Sequence, residues 1–136
     1  PIELTDLTAT MLEVAGLDPK EVLSKPWPAF HDRVPCRSLL PVVRGEQTAV
    51  RDFAFSECAG NWQMIQTRQW KYIRHLNHSL DGVGREELYN LGNDPDELEN
   101  VVAAPELGKI LAEMRTRRER VMDATPPAQT RWAAFG

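Results

Sequence analysis

The stretch RQWKYIRHLNHSLDGVGREELYNL, residues 68–91, decides how the rest of the chain is read. Two runs that read as strands, RQWKYIRHL and EELYNL, flank the polar loop NHSLDGVGRE with its Gly82 and Gly84. Alternation sends successive side chains to opposite faces: in EELYNL, Tyr89 and Leu91 point one way and Leu88 the other. No helical pattern intervenes to build a crossover, so the two strands are antiparallel. Upstream, RDFAFSE (51–57) and NWQMIQT (61–67) read as two further strands around a turn at AGN (59–61). A tight hairpin around Thr67 to Gln69 links the second strand to the third. Four such runs in succession predict an antiparallel meander.

Downstream of the fourth strand, Asn93-Asp94-Pro95 turns the chain. Asp94 is placed to cap a short acidic helix, with Glu97 reaching back in a capping box and Pro95 presetting the first helical dihedral. The cluster DPDELE lacks the alternating oxygen-ligand spacing of a calcium loop and reads as scaffolding. PELGKILAEMRTRRERVMDA (105–124) is the clearest helix, with Leu107, Ile110, Leu111, Met114, Val121 and Met122 at helical spacing. Arg115, Arg117, Arg118 and Arg120 occupy its later turns, where cations oppose the negative end of the dipole. Its apolar stripe is predicted to back one face of the sheet. Trp132 and Phe135 in the tail then need a partner surface.

At the other end, TDLTATMLEVAGLD carries a helical stripe of Leu4, Leu7, Met11, Val14 and Ala15. Thr5 or Asp6 is placed to cap it and Gly16 to stop it. One short helix is not stable alone, so it must lie against something outside these strands. Between Asp18 and Gly45 the prolines at 19, 26, 28, 35 and 41 break regular structure, and this segment reads as a linker held along a surface. The division is therefore 1–17 for a terminal helix, 18–50 for a Pro-rich linker and 51–136 for an α+β unit of four antiparallel strands and a long C-terminal helix.

Composition narrows the function. With 136 residues and 42% hydrophobic content, a packed core is within reach. The net charge of −4 gives no general reason to expect nucleic acid, and the arginine run is interleaved with Glu113 and Glu119. No apolar run approaches the ~20 residues that span a bilayer. Trp62 and Trp70 sit in strands, where packing accounts for them better than carbohydrate stacking does. Cys36 and Cys58 are read as two unpaired thiols in preference to one bridge. The chain opens on Pro1, directly ahead of a helical pattern, and reads as part of a longer product.

With these elements placed, the chain resembles a family. EELYNLGNDPDELENV is similar to the "ELYDL-x-x-DP-x-E-x-x-N-L" segment near the C-terminus of type I sulfatases, within the alkaline-phosphatase-like superfamily. TDLTATMLEVAGL, RSLLPVVRGE, and FAFSE followed by MIQTRQWKYIRH resemble further motifs of that family, in the same order, from about Leu4 to Glu106. Cys36, Ala9 and Asn90 stand where the family usually has Gly, Pro and Asp. The resemblance implies sulfate-ester hydrolysis by the full protein, using a formylglycine nucleophile and a bound calcium. It implies that residues 1–17 are the last helix of an upstream α/β catalytic domain, which is then the partner of the rest. Periplasmic or secreted location is also implied, and a homo-oligomer stays open.

Neither CRSLL nor CAGNW has the C-x-P/A-x-R form that matures to formylglycine, so no catalytic residue is expected within this chain. The reacting groups are expected N-terminal to it. Arg74, His75 and His78 are the candidate substrate-binding residues, an anion-facing rim on the sulfate pocket. A solvated basic hairpin end competes with that reading, and His75-x-x-His78 lacks a third ligand for a metal. Lys71, Tyr72 and Glu57 match family positions and are read as holding the strands. Two alternatives remain: a phosphonate or phosphate ester hydrolase of the same superfamily, and a non-catalytic module binding sulfated glycan.

Overall fold

The computed structural model describes residues 1–24, 36–58, 61–76 and 85–124. The chain forms two compact units, one of residues 1–54 with 66–69, the other of 55–65 with 70–136.

The predicted meander is present. Strands β1 (Ala54–Cys58), β2 (Trp62–Gln66), β3 (Trp70–His75) and β4 (Glu86–Asn90) form one sheet in the order β1-β2-β3-β4. β3 and β4 pair antiparallel, with Trp70 opposite Asn90, Tyr72 opposite Leu88 and Arg74 opposite Glu86. A 3₁₀ turn (Pro105–Leu107) leads into helix α4 (Gly108–Ala124). Ile65, Tyr72, Leu88 and Met114 are at most 2% exposed and form the core of this unit. Burying each contributes ~1.5–3 kcal/mol. Polar contacts fix which sheet face α4 covers. Gln63, itself buried, accepts from Arg118 Nε at 2.7 Å and donates toward Met122 Sδ at 3.0 Å. Alternation then groups Gln63, Ile65, Tyr72, Arg74, Glu86 and Leu88 beneath the helix, and Lys71, Ile73, His75, Glu87 and Tyr89 on the opposite face.

The segment after β4 departs from the sequence reading. No helix follows Pro95. Asp94 does cap, accepting from the Leu98 and Glu99 N–H groups at 3.1 and 2.9 Å. Glu97, however, sits at φ +57, a left-handed conformation that a right-handed helix cannot continue. Its carboxylate reaches Lys71 Nζ, 2.6 Å away, instead of closing a capping box. The chain runs on beside β4 and satisfies that edge: Asn100 Oδ1 accepts from Leu88 N–H at 3.0 Å, and Val101 N–H donates to Leu88 O at 2.9 Å.

The other unit begins with α1 (Leu4–Val14). Of the two predicted residues Asp6 does take part in the cap, as the N3 member of a capping box, while Thr5 does not. Glu3 takes the cap position, and Asp6, in the first turn, accepts from the Glu3 N–H at 2.8 Å. Gly16 ends the helix at φ +75, as its freedom from a Cβ allows. The segment expected to be an irregular linker contains two short helices, α2 (Pro19–Ser24) and α3 (Leu40–Val43), each with proline in its first turn. The orientation of α1 is unusual: Asp6 and Ala9 are fully buried, while Leu4, Leu7, Met11 and Val14 are 41–83% exposed. Cys36 and Cys58 are free thiols, as read from sequence. Trp27, Trp132 and Phe135 lie outside the described residues.

Candidate functional site

Charged side chains converge at the end of the β3–β4 pair, and Glu86 is the hub of one face. Its carboxylate pairs with Arg115 of α4 through Nε at 2.9 Å and through NH2. It also accepts from Arg74 NH1 at 3.0 Å and from the Tyr72 hydroxyl. Strand register places Arg74 directly opposite, and α4 brings Arg115 over the same face. The Arg115 guanidinium, with Tyr72 and Arg74, holds the Glu86 carboxyl down to about 2 against the opposing effect of burial. Burial and the Glu86 acceptor push the Tyr72 phenol up to about 12. A carboxylate ionised to so low a pH has no proton to give near neutrality, and such a phenol is a poor base. Glu86 organises cations; it is not placed to act as a general acid.

Glu87 does the same on the opposite face. It accepts from the Tyr89 hydroxyl at 2.9 Å, and its carboxylate lies 3.0 Å from His75 Nε2 and 3.1 Å from Arg85 NH2. Burial acts upward on its carboxyl, but Tyr89, His75 and Arg85 together hold it below the ordinary range. Three arginines (74, 85 and 115) and His75 thus surround two mostly buried carboxylates, while Arg85 and Arg115 remain about half exposed.

Of the three residues singled out from sequence, His78 lies outside the described residues. Arg74 and His75 are both present at the end of β3, yet adjacent strand positions face opposite ways. Arg74 joins Glu86 under α4, and His75 joins Glu87 on the far face. The structure does not bring them into one cluster. Sequence reasoning missed Glu86, Glu87, Arg85 and Arg115 as organisers. A detectable signal was the pair of acids opening β4 across the hairpin from Arg74 and His75.

A third buried carboxylate, Asp6, is structural. Asp6 accepts from the backbone N–H groups of Glu3 and Arg37, each at 2.8 Å, and from Arg51, whose NH1 also meets Glu3 Oε1 at 2.9 Å. Burial alone would raise its acidity constant's pKa, but these donors lower it below the usual aspartate value. Thr10 continues the tie, donating to Asp6 O and accepting from Leu39 N–H. These bonds hold α1 to the segments around residues 37–39 and 51. Among the described residues no three His, Cys, Asp or Glu side chains group to hold a metal. No helix among them is long and apolar enough to cross a membrane.

No family model matches the sequence. A Delta 4,5-hexuronate-2-O-sulfatase of Bacteroides thetaiotaomicron is 36% identical over 57% of this chain and 17% of its own length. An uncharacterised protein of Haemophilus influenzae is 29% identical over 90% of the chain and 59% of its own. The chain thus spans less than two thirds of either relative. Among solved structures, a 2-O GAG sulfatase superposes with a TM-score of 0.64 at 25% identity, over 95% of this chain and 26% of that one. A structure from Bacteroides thetaiotaomicron, also described as of sulfatase type, gives a TM-score of 0.65 at 27% identity over 88% and 24%.

Proposed function

Starting from the chain's correspondence to the C-terminal region of a sulfatase, we propose that it completes a sulfuric ester hydrolase and shapes the entrance of its substrate pocket. The observation that supports this best is the likeness to a 2-O GAG sulfatase across 95% of the chain, of which the chain makes up only 26%. The activity belongs to the whole polypeptide, and its reacting groups lie outside these residues. Calcium and formylglycine are proposed for that whole. The described residues offer no ligand grouping, and neither cysteine carries the maturation motif, so they do not fit either group.

The role of this chain's own residues is electrostatic. His75 and Arg85, flanking Glu87 on the face away from α4, are the groups proposed to meet a substrate anion at the pocket rim, together with His78. Arg74 supports that rim from beneath, through Glu86. Likeness to a Delta 4,5-hexuronate-2-O-sulfatase and a 2-O GAG sulfatase supports a carbohydrate carrying a 2-O-sulfate as the substrate class. The test is sulfate release, read by ion chromatography, from a sulfated unsaturated uronate disaccharide. The polypeptide encoded by the full gene is expected to release sulfate, and the 136-residue chain alone to release none above a heat-killed control. Turnover by the chain alone would overturn the proposal. Release of phosphate but not sulfate by the full polypeptide would transfer it to the phosphate or phosphonate esterases.

A further inference from the structure

The two carboxylates at the end of the β3–β4 pair differ in the kind of partner that holds them. Glu86 is held by Arg74, Arg115 and the Tyr72 phenol, none of which changes charge between about pH 5 and 8. Glu87 is held by Arg85, Tyr89 and a histidine, and imidazole is the side chain that does change charge in that interval. Of the two hubs, only that of Glu87 can switch its charge near neutrality.

Geometry fixes which nitrogen switches. Glu87 is 9% exposed and stays ionised, because Tyr89, His75 and Arg85 together outweigh the upward effect of burial. An ionised carboxylate only accepts, so its 3.0 Å contact with His75 makes Nε2 the donor. The second proton of the imidazolium therefore goes to Nδ1, which has no partner among the described residues. The His75 N–H donates to Arg85 O at 2.9 Å, so Arg85 stands opposite His75 on the same face of the sheet. With Nδ1 bare, Glu87, Arg85 and His75 sum to zero charge and offer an anion a lone pair. With Nδ1 protonated they sum to a single positive charge and offer it an N–H. Other described groups near this face leave that balance alone. Lys71 is paired with Glu97, Tyr89 is bonded to Glu87, Trp62 and Met64 of β2 do not titrate, and Cys58 lies two strands away on β1.

We propose that this cluster binds the ring carboxylate of the uronate substrate with uptake of one proton, which passes from solvent to His75 Nδ1 as the sugar docks. Nδ1–H then donates to a carboxylate oxygen beside Arg85. Glu87 is the positioning residue: it holds the ring through Nε2 and offsets the second charge. This rests on the sulfatase reading above. There the sulfate goes to reacting groups outside these residues, which leaves the carboxylate as the uronate's second anion. That carboxylate is ionised throughout this pH range, so any proton taken up belongs to the protein.

The probe is the desulfated unsaturated uronate disaccharide, which keeps the carboxylate and cannot be turned over. Titration calorimetry of the polypeptide encoded by the full gene, in buffers of different ionisation enthalpy, counts the protons. Uptake should approach one per sugar near pH 8, and binding should weaken by up to about tenfold per pH unit on that side of neutrality. His75→Gln keeps a donor for Glu87 and should abolish the uptake. Glu87→Gln keeps an acceptor for Nε2 and should weaken binding about tenfold at pH 7, an effect that fades by about pH 5.5, where imidazole is charged unaided. A purely structural role for Glu87 would weaken binding equally at both. No binding of this sugar, no proton uptake, or uptake that His75→Gln retains would overturn the proposal. Sulfate release from the sulfated disaccharide separates the two ideas. Release together with proton-free binding sinks this inference alone, whereas proton-linked binding that His75→Gln abolishes, without release at any pH, sinks the sulfatase reading alone.

Discussion

Two amphipathic helices, α1 and α4, meet their surroundings in opposite ways. α4 turns Met114 into the sheet, puts Arg118 on Gln63 and Arg115 on Glu86, and spreads the remaining charge outward. α1 turns a carboxylate inward and its leucines, methionine and valine outward. Both follow ordinary physics. A polar inward face is stable when each lone pair has a donor, as the Asp6 carboxylate does, whereas the apolar face of α1 stays exposed in this chain. The difference teaches that hydrophobic spacing locates a helix and its stripe but not which neighbour the stripe awaits.

The contrast can be broken most forcefully at Asp6. Asp6→Ala leaves Arg51, itself 9% exposed, without its bidentate carboxylate and strips two backbone donors of their acceptor. A loss of about 3–5 kcal/mol is expected in urea unfolding. If α1 were merely frayed against its unit, the midpoint would barely move. Met114→Ala should follow, at about 2–5 kcal/mol, because it opens a cavity between α4 and the sheet.

Glu86 gives the contrast a pH signature. Its folded value of about 2 lies below the ordinary 4.5, so the stability it adds is present above pH 4.5 and lost as pH falls from there toward 2. The loss should be about 2 kcal/mol, reduced from the full linkage value because Arg115 is 46% exposed. In Glu86→Gln this part of the acid limb should vanish, and an unchanged limb would show that Arg115 does not hold the carboxylate. Tyr72 works in the other direction. Its raised value of about 12 means that its contribution is full below pH 10 and lost above it, so Tyr72→Phe should flatten the alkaline limb. Smallest is Lys71→Met, which removes a partly exposed pair with Glu97 and should cost no more than about 1 kcal/mol in the same urea assay.

The fold was legible where periodicity and burial agree. Ile65, Tyr72 and Leu88 alternate as half-buried strands do, and Leu107 to Met122 repeat as a helix does. The acidic helix after Pro95 failed because Glu97 adopts a left-handed backbone to reach Lys71, a tertiary pull that local capping chemistry does not encode. At α1 the sequence picked out Asp6, which closes the capping box, but not the Glu3 cap position or the sharing of Asp6 with Arg37 and Arg51, residues 31 and 45 positions away. At the candidate site, Arg74 and His75 were visible as charges at a strand end. Their separation onto two faces follows from alternation, but their carboxylate partners depended on the β3–β4 register, which only the structure gives.

Substitution of Met11 by alanine, compared in two contexts by urea unfolding, tests the asymmetry most directly. In the 136-residue chain it should change stability by less than about 0.5 kcal/mol, as at any exposed site. In the polypeptide encoded by the full gene it should cost about 2 kcal/mol or more, as at a buried one. The same small effect in both would mean that α1 faces water throughout, and that this chain does not brace a larger hydrolase through its first helix.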